Sequence, residues 1–170
     1  MQTWPSKSLR ASSALLLAVL TLAAAASTAD ARILIGQSVG GVQLGATKAQ
    51  VDRTLGGAGS LSGSERLWES ARLRVKFVHG NADQILSGSK RQKTESGVGV
   101  GSTSAQVRSA YPRATCQKGH EPGPLYLYCV VAGHFQGRAT YTGFLSESPT
   151  GGVVEVELGF GSVAQALKHP

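Results

Sequence analysis

Residues 97–107 read GVGVGSTSAQV, a glycine-punctuated turn that leads into a predicted helix. A related stretch occurs earlier, because GVQLGATKAQVDRTLG at 41–56 aligns with GVGVGSTSAQVRSAYP at 97–112. Seven of the sixteen positions are identical at a fixed offset of 56 residues. The chain is therefore predicted to contain a duplicated unit.

Each copy carries the signal of a helix start. Thr47 followed by Gln50, and Thr103 followed by Gln106, form capping boxes, in which a hydroxyl and an amide satisfy backbone N–H groups. The apolar pairs at i and i+4 are Val51 with Leu55 and Val107 with Tyr111, and the predicted helix ends are Gly56 and Pro112. A helix start after glycines can bind phosphate, but neither copy matches a nucleotide-binding motif. The glycines are therefore assigned to tight turns.

After each helix the apolar pattern changes to alternation, which is typical of strands. RLRVKFV at 72–78 and ADQILSG follow the first helix, with LWES as a short strand before them. PLYLYCVV, RATYTGFL and VVEVELG follow the second. The predicted fold class is α+β, with two tandem repeats over 32–96 and 97–170. Each repeat would be a short helix followed by a three-stranded antiparallel meander, with both helices on one face of the sheet.

The spacing G-x5-V-x3-L-G from Gly45 to Gly56 is repeated in part by Gly101, Val107 and Tyr111. This spacing resembles a motif of the superfamily that contains the secreted beta-lactamase inhibitory protein and the SmpA/OmlA outer-membrane assembly lipoproteins. The resemblance implies a non-catalytic binding scaffold that uses its open sheet face. The chain departs from these proteins in having no cysteine for lipid attachment, and one candidate disulfide rather than one per repeat.

The first 31 residues have the order of a secretory signal. Lys7 and Arg10 precede a 13-residue apolar run at 14–26, shorter than the roughly 20 residues of a membrane span. We expect cleavage after Ala31 and a secreted or periplasmic location. The mature chain would then have 139 residues and, without Lys7, Arg10 and Asp30, 15 basic and 9 acidic residues, a net charge of +6.

Cys116 and Cys129 are the two cysteines of the chain. In an oxidising compartment we expect them to form a disulfide, worth about 3 kcal/mol in the chain-entropy model. The alternative is a zinc site in which His120 and His134 join the cysteines. The glycines and prolines between the cysteines favour the disulfide.

The candidate partner-binding residues lie on the strand faces predicted to be exposed. Arg72, Arg74 and Lys76 would share one side of their strand, and Tyr126 and Tyr128 would stand side by side on another. Arginine and tyrosine are residue types that anchor protein interfaces. The alternatives are a basic stripe that only prevents edge pairing, and tyrosines buried by the opposite strand register.

These observations predict a protein-binding module, an inhibitor or an envelope-associated scaffold, whose partner carries acidic groups. We expect no catalytic residues, cofactor, metal, nucleic acid or membrane span. One alternative is a small secreted hydrolase or ligand-binding protein, for which Ser87, His120 and His134 are the available residues. The other is attachment to an anionic cell-wall polymer, which the net charge would favour.

Overall fold

The structure is a computed structural model that describes residues 32–119 and 125–168. The predicted signal segment and His120 lie outside the described residues. The first half contains β1 Arg32–Leu34, β2 Ser38–Val39, β3 Val42–Gln43, α1 Lys48–Leu55, β4 Ser60–Ser62, β5 Glu65–Trp68, a 3-10 turn Glu69–Ala71, β6 Leu73–Val78, β7 Asn81–Ser87 and β8 Lys93–Thr94. The second half contains α2 Ser104–Ala110, β9 Thr115–Gly119, β10 Tyr126–Phe135, β11 Arg138–Ser146, β12 Val153–Phe160 and α3 Val163–Ala166.

The described strands form two sheets, and this overturns the predicted fold class. The larger sheet has eight strands in the order β4-β5-β6-β7-β12-β11-β10-β9, and the smaller has four in the order β3-β2-β1-β8. The protein is therefore mostly β, and not two repeats of a helix and a three-stranded meander. The prediction missed the edge strands β4 and β9 and the whole small sheet. These strands have two to five residues, too few or too polar to show an alternating apolar pattern.

The large sheet consists of two antiparallel meanders joined in the middle. β7 pairs antiparallel with β12, and the register sets Ile85 opposite Leu158 and Leu86 opposite Glu157. Ile85 and Leu158 are fully buried on one side of the sheet. We call this side the core side and the opposite side, which includes Glu157, the outer side.

The two glycine turns perform the same task in each half. The N–H of Gly45 donates to the carbonyl oxygen of Ala82 in β7, and the N–H of Gly101 donates to that of Val153 in β12, both at 2.7 Å. The φ angles of Gly45 and Gly101 are +77° and +89°, a region that glycine adopts without steric strain. Because these N–H groups are already bonded, they are not available to hold a phosphate.

Helices α1 and α2 pack on the core side. Both predicted capping boxes are present, at Thr47 and Thr103, and α1 ends at Gly56 in the left-handed conformation. Val51 and Val107 are fully buried and belong to one hydrophobic cluster, which also includes side chains of the small sheet. One continuous core therefore lies between the large sheet, the small sheet and these two helices.

Helix α3 departs from the prediction that the helices share one face. Its buried residue Ala166 packs against Tyr128, Val130 and Tyr141, which form a cluster separate from the main core. These three side chains point to the outer side, because their neighbours along the strands, such as Cys129, face the main core. The outer side is therefore partly covered.

Thr47→Ala and Thr103→Ala should each lower the free energy of unfolding by about 1 kcal/mol, because each removes the cap of a helix start. The measurement is urea denaturation. Thr54→Ala is the matched control, since the hydroxyl of Thr54 only donates to the carbonyl of Gln50 within α1. A cost for Thr54→Ala equal to that for Thr47→Ala would contradict the capping role.

Candidate functional site

Arg74 and Lys76 lie on the outer side, as the alternation of β6 predicts. Leu73 and Val75, which alternate with them along the strand, are fully buried in the main core. Arg72 does not share the strand face, because it precedes β6 in a left-handed conformation with a φ of 53°. It is exposed beside the end of the strand.

Arg74 is held by two carboxylates across neighbouring strands. Its Nη2 lies 2.5 Å from Glu155 Oε2 in β12, and its Nη1 lies 3.6 Å from Glu65 Oε2 in β5. The hydrogen bond to Glu155 is the main cause that raises the pKa of Arg74 further above its ordinary value. The charge of Arg74 is therefore compensated, and its side chain is held in place by the two carboxylates.

We define the open half of the outer side as the part formed by β5, β6, β7 and Glu155. The paired register flanks Arg74 with two leucines, since its partners in β5 and β7 are Leu67 and Leu86. The open half consists of Glu65, Leu67, Arg74, Lys76, Gln84, Leu86 and Glu155. Most of these side chains are partly exposed, so the surface mixes apolar and charged groups.

The two predicted tyrosines are on the outer side but are not both exposed. Leu127 faces the core as expected, whereas Tyr128 is only 1% exposed because α3 covers it. Tyr126 is half-buried next to Leu167. The expectation that Tyr128 is open to solvent is therefore wrong, and the reason is a C-terminal helix to which the sequence analysis gave no role.

A buried carboxylate lies beside these tyrosines. Glu157 Oε2 accepts a hydrogen bond from the Tyr128 hydroxyl at 2.7 Å, and Oε1 accepts one from the Tyr141 hydroxyl at 2.5 Å. The side-chain amide of Gln84 donates to the same Oε1. Burial, and then the charge of Glu157, raise the pKa of both tyrosines well above the ordinary value. We call these four residues the Glu157 cluster.

Two glycines make room for the tyrosine rings. A Cβ at Gly143 would lie 2.1 Å from the Tyr128 hydroxyl, and a Cβ at Gly159 would lie 2.6 Å from the Tyr141 hydroxyl. Each ring therefore lies flat across a neighbouring strand, and this brings its hydroxyl to Glu157. Alternation along β12 alone predicts that Glu157 faces solvent, whereas it is buried.

The sulfur atoms of Cys116 and Cys129 lie 2.08 Å apart, the distance of a disulfide. The two residues are direct partners of β9 and β10, so the bond joins the edge strand to its neighbour. Two sulfurs bonded to each other are not available as zinc ligands. No group of three or more His, Cys, Asp or Glu side chains in the described ranges could hold a metal ion.

The structure separates the residues of the hydrolase alternative. Ser87 is 1% exposed, faces the core side opposite Leu73, and donates its hydroxyl hydrogen to Gln92. His134 is exposed and lies on the outer side of β10, four residues from Val130. Side chains on opposite faces of a sheet do not meet, so Ser87 and His134 form no catalytic pair.

No helix within 32–119 or 125–168 is both long and apolar enough to cross a membrane. No protein-family model matches the chain, and it has no significant similarity to a curated protein or to a solved structure.

Gly143→Ala should lower the free energy of unfolding by about 1 to 3 kcal/mol, because the added methyl group would overlap the ring of Tyr128. The matched control is Gly88→Ala, where the nearest atom to an added Cβ is 3.9 Å away on Arg72. Thermal and urea unfolding of both variants give the comparison. Equal costs at the two positions would show that Tyr128 does not lie across Gly143.

The Glu157 cluster predicts an alkaline loss of stability. In the unfolded chain a tyrosine ionises near pH 10, whereas the raised pKa keeps Tyr128 protonated in the folded protein. Above about pH 10 the unfolded state therefore binds fewer protons, and the free energy of unfolding falls as the pH rises.

In Tyr128→Phe the fall between pH 8 and pH 11 should be smaller by about 1.4 kcal/mol, the contribution of one tyrosine. Urea unfolding at a series of pH values gives the curves. Tyr111→Phe is the control, because its ring stacks on Phe144 outside the cluster. Parallel curves for Tyr128→Phe and the wild type would contradict the assignment.

Proposed function

We propose that the protein is an exported, non-catalytic protein-binding module whose partner contacts the open half of the outer side. The observation that carries the proposal is that the side chains of this surface are held in fixed positions. Arg74 is fixed between Glu65 and Glu155, and Leu67 and Leu86 flank it on the neighbouring strands. An arginine that is already ordered loses little side-chain entropy when a partner binds.

Two features support export. The order of charged, apolar and small residues before Arg32 is that of a secretory signal. The sulfur atoms of Cys116 and Cys129 are within bonding distance, and disulfides persist mainly in oxidising compartments. Membership in the superfamily of the beta-lactamase inhibitory protein and SmpA/OmlA is part of this proposal. Within that superfamily, an inhibitor and an envelope-associated scaffold are the two roles that this proposal allows.

The charges of the open half favour a protein over an anionic polymer. The open half has two carboxylates, Glu65 and Glu155, for its two cations, Arg74 and Lys76, and both carboxylates pair with Arg74. A polyanion needs a dense surface of uncompensated cations, and its binding weakens steeply with salt. A partly apolar protein contact keeps its affinity in salt. Lys76 and the exposed Arg72 would then select acidic groups at the rim of the partner.

The test immobilises variants of the protein and compares how much of a binding protein each one captures from the culture medium. Leu67→Glu places a charge in the open half, and Leu61→Glu makes the same change on the exposed edge strand β4, on the core side. We expect Leu67→Glu to weaken capture of a specific protein by at least about tenfold, or 1.4 kcal/mol. Leu61→Glu and high salt should leave the capture intact.

A second pair tests the polymer alternative. Lys76→Glu lies in the open half, and Lys90→Glu makes the same charge change in the exposed segment between β7 and β8. The probe is a soluble polyphosphate. If the protein binds it, and if this binding is lost in high salt and weakened equally in both variants, polymer attachment would be favoured. A partner lost equally from the Leu67 and Leu61 variants would contradict the proposed surface.

A further inference from the structure

Helix α3 is attached to the rest of the protein through a small contact of its own. Ala166 is its buried residue, and Val163 and Leu167 are partly buried against the same cluster of Tyr128, Val130 and Tyr141. This cluster is distinct from the main core that joins the two sheets, α1 and α2. Removal of α3 from the sheet would therefore leave the main core intact.

The helix has little stability without the sheet. It spans the four residues Val163–Ala166, far fewer than the roughly 12 to 15 that an isolated helix needs in water. Gly161, with a φ of +132°, and Ser162 connect it to the end of β12. Segments that bury few apolar groups open locally at a much lower free energy than the whole protein. We therefore expect α3 to leave the sheet without global unfolding.

The surface that Tyr128, Val130 and Tyr141 present to α3, which we call the groove, is built from the sheet and not from the helix. Its floor is formed by the rings of Tyr128 and Tyr141, which lie across Gly143 and Gly159. The hydroxyls of both tyrosines are bound to Glu157, a residue of β12. These contacts do not involve α3, so the groove keeps its shape when the helix departs.

The groove is also continuous with the open half. Gln84 belongs to the open half and donates a hydrogen bond to Glu157, which in turn accepts from both tyrosines of the groove floor. The outer side is thus one surface of which α3 occupies a part.

We propose that the groove beneath α3 is the second half of the partner-binding surface, and that α3 occupies it as an internal competitor. The occupant that replaces α3 is a helical turn of a partner protein with a V-x-x-A-L arrangement of aliphatic side chains, because this pattern fills the groove now. The alanine position is specific, since Ala166 is 5% exposed above the tyrosines and leaves no room for a large side chain. This inference rests on the proposed function and adds the regulation of its binding surface.

The experiment displaces α3 in the full-length chain. Ala166→Glu places a charge under the helix, whereas Ala164→Glu makes the same change at an exposed position of the same helix. We expect Ala166→Glu to remain folded by circular dichroism and to expose Tyr128 and Tyr141. Nitration of these two tyrosines, located by mass spectrometry, should become faster, because the variant shifts α3 from the covered to the open state. Ala164→Glu should react like the wild type.

Leu167→Ala is a milder variant that weakens the contact of α3 without adding a charge. Its two tyrosines should be nitrated at a rate between those of the wild type and Ala166→Glu. Global unfolding of Ala166→Glu together with an unchanged nitration rate in Leu167→Ala would show that α3 is an integral part of the fold, and would overturn the inference.

A peptide of residues 161–168, GSVAQALK, tests whether the groove accepts a helical turn from another molecule. Added to Ala166→Glu, it should slow the nitration of Tyr128 and Tyr141 toward the wild-type rate. A peptide that itself carries the Ala166→Glu substitution should not slow the nitration. Absence of protection by the first peptide would contradict the inference. Neither arm uses the unidentified partner, so this result is separate from the capture of that partner through Leu67.

Discussion

Strands β7 and β12 are the pair through which the two four-stranded halves of the large sheet are hydrogen-bonded. Because this pair lies in the middle of the sheet, the side chains on both of its sides need packing or hydrogen-bond partners. On the core side, Ile85 and Leu158 are fully buried in the main core. On the outer side, the same register brings a carboxylate, Glu157, opposite Leu86. A buried carboxylate without hydrogen bonds is costly, so the tyrosines and glycines around it are consequences of this pairing.

The Glu157 cluster in turn divides the outer side into two parts with different properties. Toward β5 the surface is open, and its main cation is held by the carboxylates of Glu65 and Glu155. Toward β10 the tyrosine rings form an apolar floor, which α3 covers. In both parts the principal polar groups are paired with one another. Ser87 is buried on the other side of the sheet.

Local signals in the sequence identified the parts of the fold that depend on local contacts. The capping boxes at Thr47 and Thr103 and the alternation of β6 were sufficient for their elements. The architecture was not predicted, because very short strands such as β8 form through pairing with distant segments, in this case β1. The burial of Tyr128 depends on α3, which carries the same capping-box pattern at Ser162 and Gln165. The same rule therefore predicts a helix start in the C-terminal segment, but not that the helix covers Tyr128. The partners of Glu157 come from three other strands, so alternation within β12 alone could not reveal them.

Amide hydrogen exchange of the wild-type protein tests most directly whether the outer side carries a detachable helix on a firmly held sheet. The amides of Ile85 and Leu158 should exchange only through global unfolding, since they lie in the central pair. The amides of Ala166 and Leu167 bond to the carbonyls of Ser162 and Val163 within α3, and they should exchange much faster. Equal protection of α3 and of the central pair, with the same dependence on denaturant, would show that the helix opens only when the whole protein unfolds.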